Sequence, residues 1–138
     1  MPVPDPLPSA VLFVADVPLL TRFYRGVASM GLVEEGEGHV VLEIAGFQLT
    51  IHAIRGEPAL RGESRGRVVA REDSHWKLCL PVQSIDAARL RAAELGGFIK
   101  AREHEWTARG FRACDGHDPE GNVLQLRESA AVILSAVP

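Results

Sequence analysis

The sequence predicts an α+β fold of two β-α-β-β-β modules, and three observations lead to it. The chain has 138 residues, near the usual size of one domain, about 100–150 residues. Short runs rich in β-branched and aromatic residues surround one helical stretch in each half, and this order repeats over residues 9–55 and 74–128. Hydrophobic residues at 46% and charged residues at 24% are those of an ordinary globular chain, which excludes disordered, collagen-like and coiled-coil classes. Residues 1–8 then form an N-terminal arm, 56–73 a linker and 129–138 a C-terminal tail.

Pro2, Pro4, Pro6 and Pro8 remove too many N–H donors for a helix or an interior strand, so the arm is extended. Ala10 to Ala15 is an apolar strand ended by Asp16 and Pro18. Asp16 can cap the next segment and Pro18 suits a first helical turn, after which Leu19, Leu20, Phe23, Tyr24 and Val27 recur at helical spacing; the helix is expected over Pro18 to Met30. Leu32 to Glu35, His39 to Ile44 and Phe47 to Ile54, broken by Gly36, Gly38 and Ala45-Gly46, give an antiparallel meander. Gly56, Pro58, Gly62 and Gly66 mark the linker.

Trp76 to Val82 opens the second half as a strand. Ser84-Ile85-Asp86 then starts a helix of strong formers, Ala87 to Leu95, stopped by Gly96-Gly97. Phe98 to Ala101, Gly110 to Cys114 and Asn122 to Arg127 are the remaining strands, the last two joined by the turn Asp118-Pro119-Glu120-Gly121-Asn122.

Fifteen Lys and Arg against eighteen Asp and Glu give a net charge of −3 with the signs interspersed, so no basic stripe is available for nucleic acid. The apolar run near the N-terminus is far shorter than the roughly 20 residues a bilayer span needs. Asp5 and the prolines stand where a secretory leader would carry a basic then apolar stretch. No membrane partner and a cytoplasmic location are therefore expected. Cys79 and Cys114 lack metal-site spacing and read as small buried hydrophobes.

Val14-Ala15-Asp16-Val17, Phe23-Tyr24 and Met30-Gly31-Leu32 near one end, with Gly110-Phe111-Arg112 and Asp118-Pro119-Glu120-Gly121-Asn122 near the other, resemble the motifs of the vicinal oxygen chelate superfamily. That superfamily includes glyoxalase I, extradiol dioxygenases, fosfomycin-resistance enzymes and bleomycin-resistance proteins. The resemblance spans about Ser9 to Glu128 and implies curled, mostly antiparallel sheets with the helices on their outer face, closing around a cup. It also implies a homodimer, and the apolar tail Ala130 to Val137 independently suggests a surface that needs covering. Metal enzymes of the superfamily carry ligands at positions that fall here on Ser9, Thr50, Lys77 and Gln125. A Lys ammonium has no lone pair to give, and no imidazole or carboxylate stands at the other three. No metal, no cofactor and no catalytic residue are therefore expected.

Strand alternation places Gln48, Thr50 and His52 on the cup face if Thr50 points inward. Ser9, Val11 and Phe13 join them from the first strand, His75, Lys77 and Cys79 from the fifth, and Val123, Gln125 and Arg127 from the last. Such a mixed lining suits an organic ligand with a polar or anionic part. The candidate ligand-binding residues are Phe13, Gln48, Thr50, His52, His75, Lys77, Trp106, Arg112 and Gln125. His52 is read as a ligand contact, a base, a metal partner of His75, or a solvated strand residue. Lys77 pairs with a ligand or with a neighbouring acid, and Arg112 either contacts ligand or holds the turn near Asp118 or Glu120. Trp76 falls on the helix-packing parity and is expected in the core. His39, His104 and His117 are taken as surface residues, and Asp115-Gly116-His117-Asp118 as a solvated polar turn. The reading that results is a metal-independent binding protein for a small organic molecule. The alternatives are a glyoxalase-like lyase or isomerase, with a non-standard metal site or a histidine base, and a structural dimer with an unused cup.

Overall fold

Asp16 starts helix α1 (Val17–Ala28): its Oδ1 accepts the Leu19 N–H at 3.0 Å and Pro18 occupies the first turn. Leu20, Phe23, Tyr24, Val27 and Ala28 form its buried stripe, and Ser29 ends it in the left-handed region at φ 55°. Helix α2 (Ile85–Glu94) begins likewise, with Ser84 Oγ accepting from Ala87 N–H at 3.1 Å, and buries Ile85, Ala88 and Ala92. Gly96, at φ +92°, turns the chain out of α2 and lets Gly97 N–H bond the Ala92 carbonyl at 2.9 Å.

The structure, a computed structural model, describes residues 5–54, 63–64 and 67–130, excluding the side chains of 63, 64 and 67. Strands β1 (Ser9–Val14), β2 (Gly31–Gly36), β3 (His39–Ile44) and β4 (Phe47–Ala53) make one sheet in the order β1-β4-β3-β2. β3 and β4 meet at Ala45-Gly46, both at positive φ, the primed turn that matches strand twist. β5 (Glu63–Ser64) and β6 (Arg67–Val68) pair with each other in the linker.

The second sheet holds β7 (Leu78–Val82), β8 (Phe98–Ile99), β9 (Trp106–Ala108), β10 (Phe111–His117) and β11 (Val123–Ser129), ordered β7-β11-β10 with β8 and β9 both on β10. Each sheet has one parallel pair, β1 with β4 and β7 with β11, and is otherwise antiparallel. Both sheets are open and curled. Their inner residues, among them Leu42, Leu49, Ile51, Leu80, Leu124 and Leu126, join the helices in a single buried cluster. Burying one such side chain contributes about 1.5–3 kcal/mol.

The expected strands and helices are observed in order, with β5, β6 and β9 added to them, and with four local corrections. Trp76 precedes β7 and is 86% exposed, so it is not in the core. Cys114 is buried but Cys79 is exposed on β7. Asp115 to His117 are not a turn but the last residues of β10. Asp118, expected in solvent, is fully buried. Residues 1–4 of the arm, 55–62 and 65–66 around the linker, and 131–138 of the tail lie outside the described residues.

Two carboxylates tie the modules together through the turn between β10 and β11. Glu120 accepts the Ala15 N–H at 2.9 and 3.0 Å and the Asp16 N–H at 2.7 Å, holding the junction of β1 and α1. Asp118 accepts the Tyr24 hydroxyl at 2.8 Å, the Asn122 side-chain amide at 2.9 Å, and the backbone N–H groups of Glu120 and Asn122 at 2.8 and 3.0 Å. Burial pushes the Asp118 carboxyl above its ordinary pKa against the opposing pull of these donors. Burial, with Asp118 beside it, raises the Tyr24 phenol as well.

Candidate functional site

In both sheets alternate residues face away from the helices. On β1 and β4 the helix side takes Leu12, Val14, Leu49 and Ile51, while Val11 and Phe13 are exposed and Gln48, Thr50 and His52 half-buried. Ladder register keeps the open face continuous: Val11 lies beside Thr50, Phe13 beside His52, and His39 of β3 opposite His52. On the second sheet Gln125 of β11 lies beside Cys79 of β7 and Asp115 of β10. The edge strands β1 and β7 are not hydrogen-bonded to each other. A crevice of about 350 Å³ opens along them, lined by Leu12, Leu49 and Leu78 together with Ser9, Lys77 and Trp76.

The second sheet's open face is organised by Asp115. Lys77 Nζ bonds its Oδ2 at 3.1 Å and Gln125 Nε2 donates to its Oδ1 at 3.0 Å. Gln125 Oε1 in turn accepts from Arg127 Nε at 2.8 Å, and Arg127 Nη2 reaches the Cys79 sulfur at 3.4 Å. This chain of contacts holds Gln125, only 5% exposed, with both ends of its amide engaged. Trp106 flanks it: β9 places its residue opposite Ala113, and its ring meets Phe111 edge-on at 6.1 Å.

On the first sheet His52 Nδ1 lies 2.8 Å from the Ala53 carbonyl. A carbonyl only accepts, so this nitrogen carries a proton, and in the neutral form of the ring the lone pair lies on Nε2. The ring neighbours of His52 are Phe13 at 5.7 Å and His39 at 6.2 Å. His39 bonds Glu34 at 2.7 Å, and that bond is the main reason its pKa rises above the ordinary histidine value. Gln48 is spent on Glu43 at 3.0 Å.

The structure therefore brings together Lys77, Gln125 and Trp106 on one half of the open face, and Phe13, Gln48, Thr50 and His52 on the other. His75 is exposed in the loop before β7, and the rings packed on His52 are those of Phe13 and His39. Arg112 lies on the opposite, helix-facing side of β10. Its Nε sits 3.0 Å from Glu105 Oε1, at an angle that makes a charge contact rather than a hydrogen bond, and its Nη2 bonds Glu128 at 2.9 Å. Glu128 also accepts the Ile85 N–H at 2.7 Å, so Arg112 braces the start of α2, not the turn at Asp118 or Glu120. Asp115 is the residue that sequence reasoning left out of the open face; Arg127 was placed there by its parity with Gln125 but not counted among the ligand contacts. Extending β10 through His117 would have set Asp115 opposite Gln125.

The four positions that the resemblance aligns with metal ligands supply two hydroxyls, an ammonium and an amide. Lys77 is turned to Asp115, and the Gln125 oxygen is occupied by Arg127. Such a set offers no carboxylate, imidazole or thiolate and does not fit a divalent cation. Among the described residues no three of His, Cys, Asp and Glu cluster as a metal-binding group.

Comparison with solved structures gives the same architecture. An integron cassette protein from Vibrio cholerae is 23% identical over 93% of this chain and 98% of its own, with a TM-score of 0.60. A glyoxalase/bleomycin resistance protein from Albidiferax ferrireducens is 18% identical over 88% and 96%, at 0.62. The fosfomycin resistance protein FosX from Listeria monocytogenes, solved with Mn(II) and 1S,2S-dihydroxypropylphosphonic acid, is 17% identical over 93% and 90%, at 0.59. At these identities the likeness is one of fold. No curated protein matches the chain in sequence. Among the described residues no helix is long and apolar enough to cross a membrane. The glyoxalase-like domain family matches residues 9–127, nearly the whole of both modules, and the chain belongs to that family.

Proposed function

We propose that the open face binds a small organic molecule directly through its side chains, without a resident divalent cation, as a binding protein of the bleomycin-resistance type. The donor set carries this reading. FosX was solved with Mn(II) and a phosphonate; at the positions that the resemblance aligns with metal ligands this chain has Ser9, Thr50, Lys77 and Gln125, suited to hydrogen-bonding a ligand and unsuited to holding a metal. Val11, Phe13 and Trp106 supply exposed apolar surface beside them, the combination of apolar area and few placed polar groups that small-molecule sites share. The candidate contacts are Phe13, Gln48, Thr50, His52, Lys77, Trp106 and Gln125, with His75 at the loop. The cellular setting we infer is a cytoplasmic homodimer, in keeping with the interspersed charge and the open strand edges.

A second reading has one observation in its favour. His52 keeps a lone pair on Nε2 beside Phe13, so a lyase or isomerase could use it as a general base.

The test is thermal unfolding of EDTA-treated protein against a broad panel of neutral, cationic and anionic organic compounds, with product analysis of every compound that binds. Saturable stabilisation without turnover is expected. A ligand at a hundred times its Kd adds about 2.7 kcal/mol, which in a domain of this size is about 8–10 °C. His52→Ala and Lys77→Ala should each reduce that shift. Binding that requires an added stoichiometric divalent ion overturns the reading, as does a panel in which nothing binds. Turnover lost in His52→Ala moves the assignment to the enzyme.

A further inference from the structure

The charges on the open face do not balance locally. Lys77 is neutralised by Asp115, and the open-face acids of the first sheet are engaged, Glu34 by His39 and Glu43 by Gln48. Arg127 has no carboxylate partner among the described residues. It is held instead by neutral contacts: Gln125 Oε1 on Nε, the Cys79 sulfur on Nη2, and the Phe111 ring, whose centroid lies 4.4 Å from its guanidinium carbon. Arg109, in the turn between β9 and β10, reaches the same ring at 5.0 Å and also lacks a carboxylate among the described residues. Two cations share one aromatic ring, and Trp106 closes the side of that ring at 6.1 Å.

A guanidinium on an aromatic ring keeps its planar fork oriented while its edge stays free for an acceptor. Like charges gathered near one ring repel each other, and an anion bound at either one lowers that repulsion as well as adding its own hydrogen bonds. Arg127 Nη1 has no protein acceptor among the described residues, so this edge of the fork is open to solvent or to a ligand. Carboxylate and phosphoryl oxygens match it bidentately.

We propose that this rim of the cup takes the charged end of the ligand, and that the ligand is an organic anion with a flat apolar body. Its carboxylate or phosphonate sits on Arg127 with Arg109 as the second cation, and its body lies against Trp106. This inference rests on the reading of the open face as a ligand site and adds the charge and placement of the ligand.

Isothermal titration of the full-length protein with benzoate, phenylphosphonate and neutral benzamide tests it. At least one anion should bind about tenfold or more tighter than benzamide, and added salt should weaken it. The two anions separate a carboxylate from a phosphonate preference. Arg127→Gln should lower anion affinity about tenfold or more, and Arg127→Lys should restore only part because the fork is gone. Should Arg127→Gln fail to fold, Arg109→Gln reads the same site with a loss of about threefold. Benzamide binding as tightly as benzoate, or anion affinity unchanged in both arginine variants, overturns the inference and leaves the ligand-site reading standing. Failure of all three probes overturns it too, while the ligand-site reading stands or falls on the broad panel.

Discussion

Replacing Asp118 with alanine removes one acceptor from four donors at once. The Tyr24 hydroxyl, the Asn122 side-chain amide and the N–H groups of Glu120 and Asn122 all point at this carboxylate within 3.0 Å, and Asp118 itself is fully buried. A buried donor left without a partner costs about 1–3 kcal/mol, which would sum to roughly 4–12. Two effects pull that down: water can enter the space vacated, and the burial penalty on the carboxylate disappears. We expect about 3–5 kcal/mol, a third or more of the 5–15 kcal/mol typical of a whole domain, and a fall in Tm of about 10–15 °C. Tyr24→Phe deletes one donor and leaves the carboxylate three, so it should cost only about 1 kcal/mol. Urea unfolding followed by tryptophan fluorescence and by circular dichroism gives both values, and the double variant gives their coupling. A loss below about 1 kcal/mol for Asp118→Ala, or exact additivity with Tyr24→Phe, would refute the account of Asp118 as the buried hub joining the modules.

Two more predictions come from the same region. Because burial raises the Asp118 pKa in the folded state, the native protein binds the proton more readily than the unfolded chain. Stability from this group is then greatest at low pH and declines as pH rises from the ordinary carboxylate value through the raised one. The stability gap between wild type and Asp118→Asn should therefore narrow with rising pH in that window, as read from paired urea curves; a gap that widens refutes the direction. Gly116→Ala should destabilise by about 2 kcal/mol or more, since a Cβ there would lie 2.2 Å from the Phe98 carbonyl oxygen and 2.9 Å from the Ile99 Cα, and only parting β8 from β10 relieves both. Calorimetric melting that leaves Tm unchanged would show that these strands have slack.

What the sequence made legible was periodicity. The apolar run His39 to Ile44 matches β3 residue for residue, the stripe of α1 followed from spacing, and the open-face set on β1 and β4 followed from alternation once the resemblance had turned Thr50 inward. Composition misled where a residue had two uses. Gly116 between Asp115 and His117 reads as a turn, yet here glycine is required by the close approach of β8, and the strand runs through it. That error hid Asp115, and with it the reason Lys77 and Gln125 belong to one network. Arg112 was placed among the candidate contacts on the resemblance of the last hairpin and not on strand parity; on β10 it takes the helix side, opposite in parity to Asp115. Trp76 failed differently, because the strand parity assigned to it requires a strand, and β7 begins only at Leu78.

The tie from Glu120 to Ala15 and Asp16 spans over a hundred residues of chain, and this orders events while the protein is being made. A ribosome adds about 5–20 residues per second, so β1 and α1 wait roughly 5–20 s before the carboxylate that secures their junction exists. During that interval the first sheet has its own meander but lacks the buried partner of Tyr24. The late-made turn at 118–122 thus acts as a latch, and the early half is the part of the nascent chain that a chaperone would find unfinished.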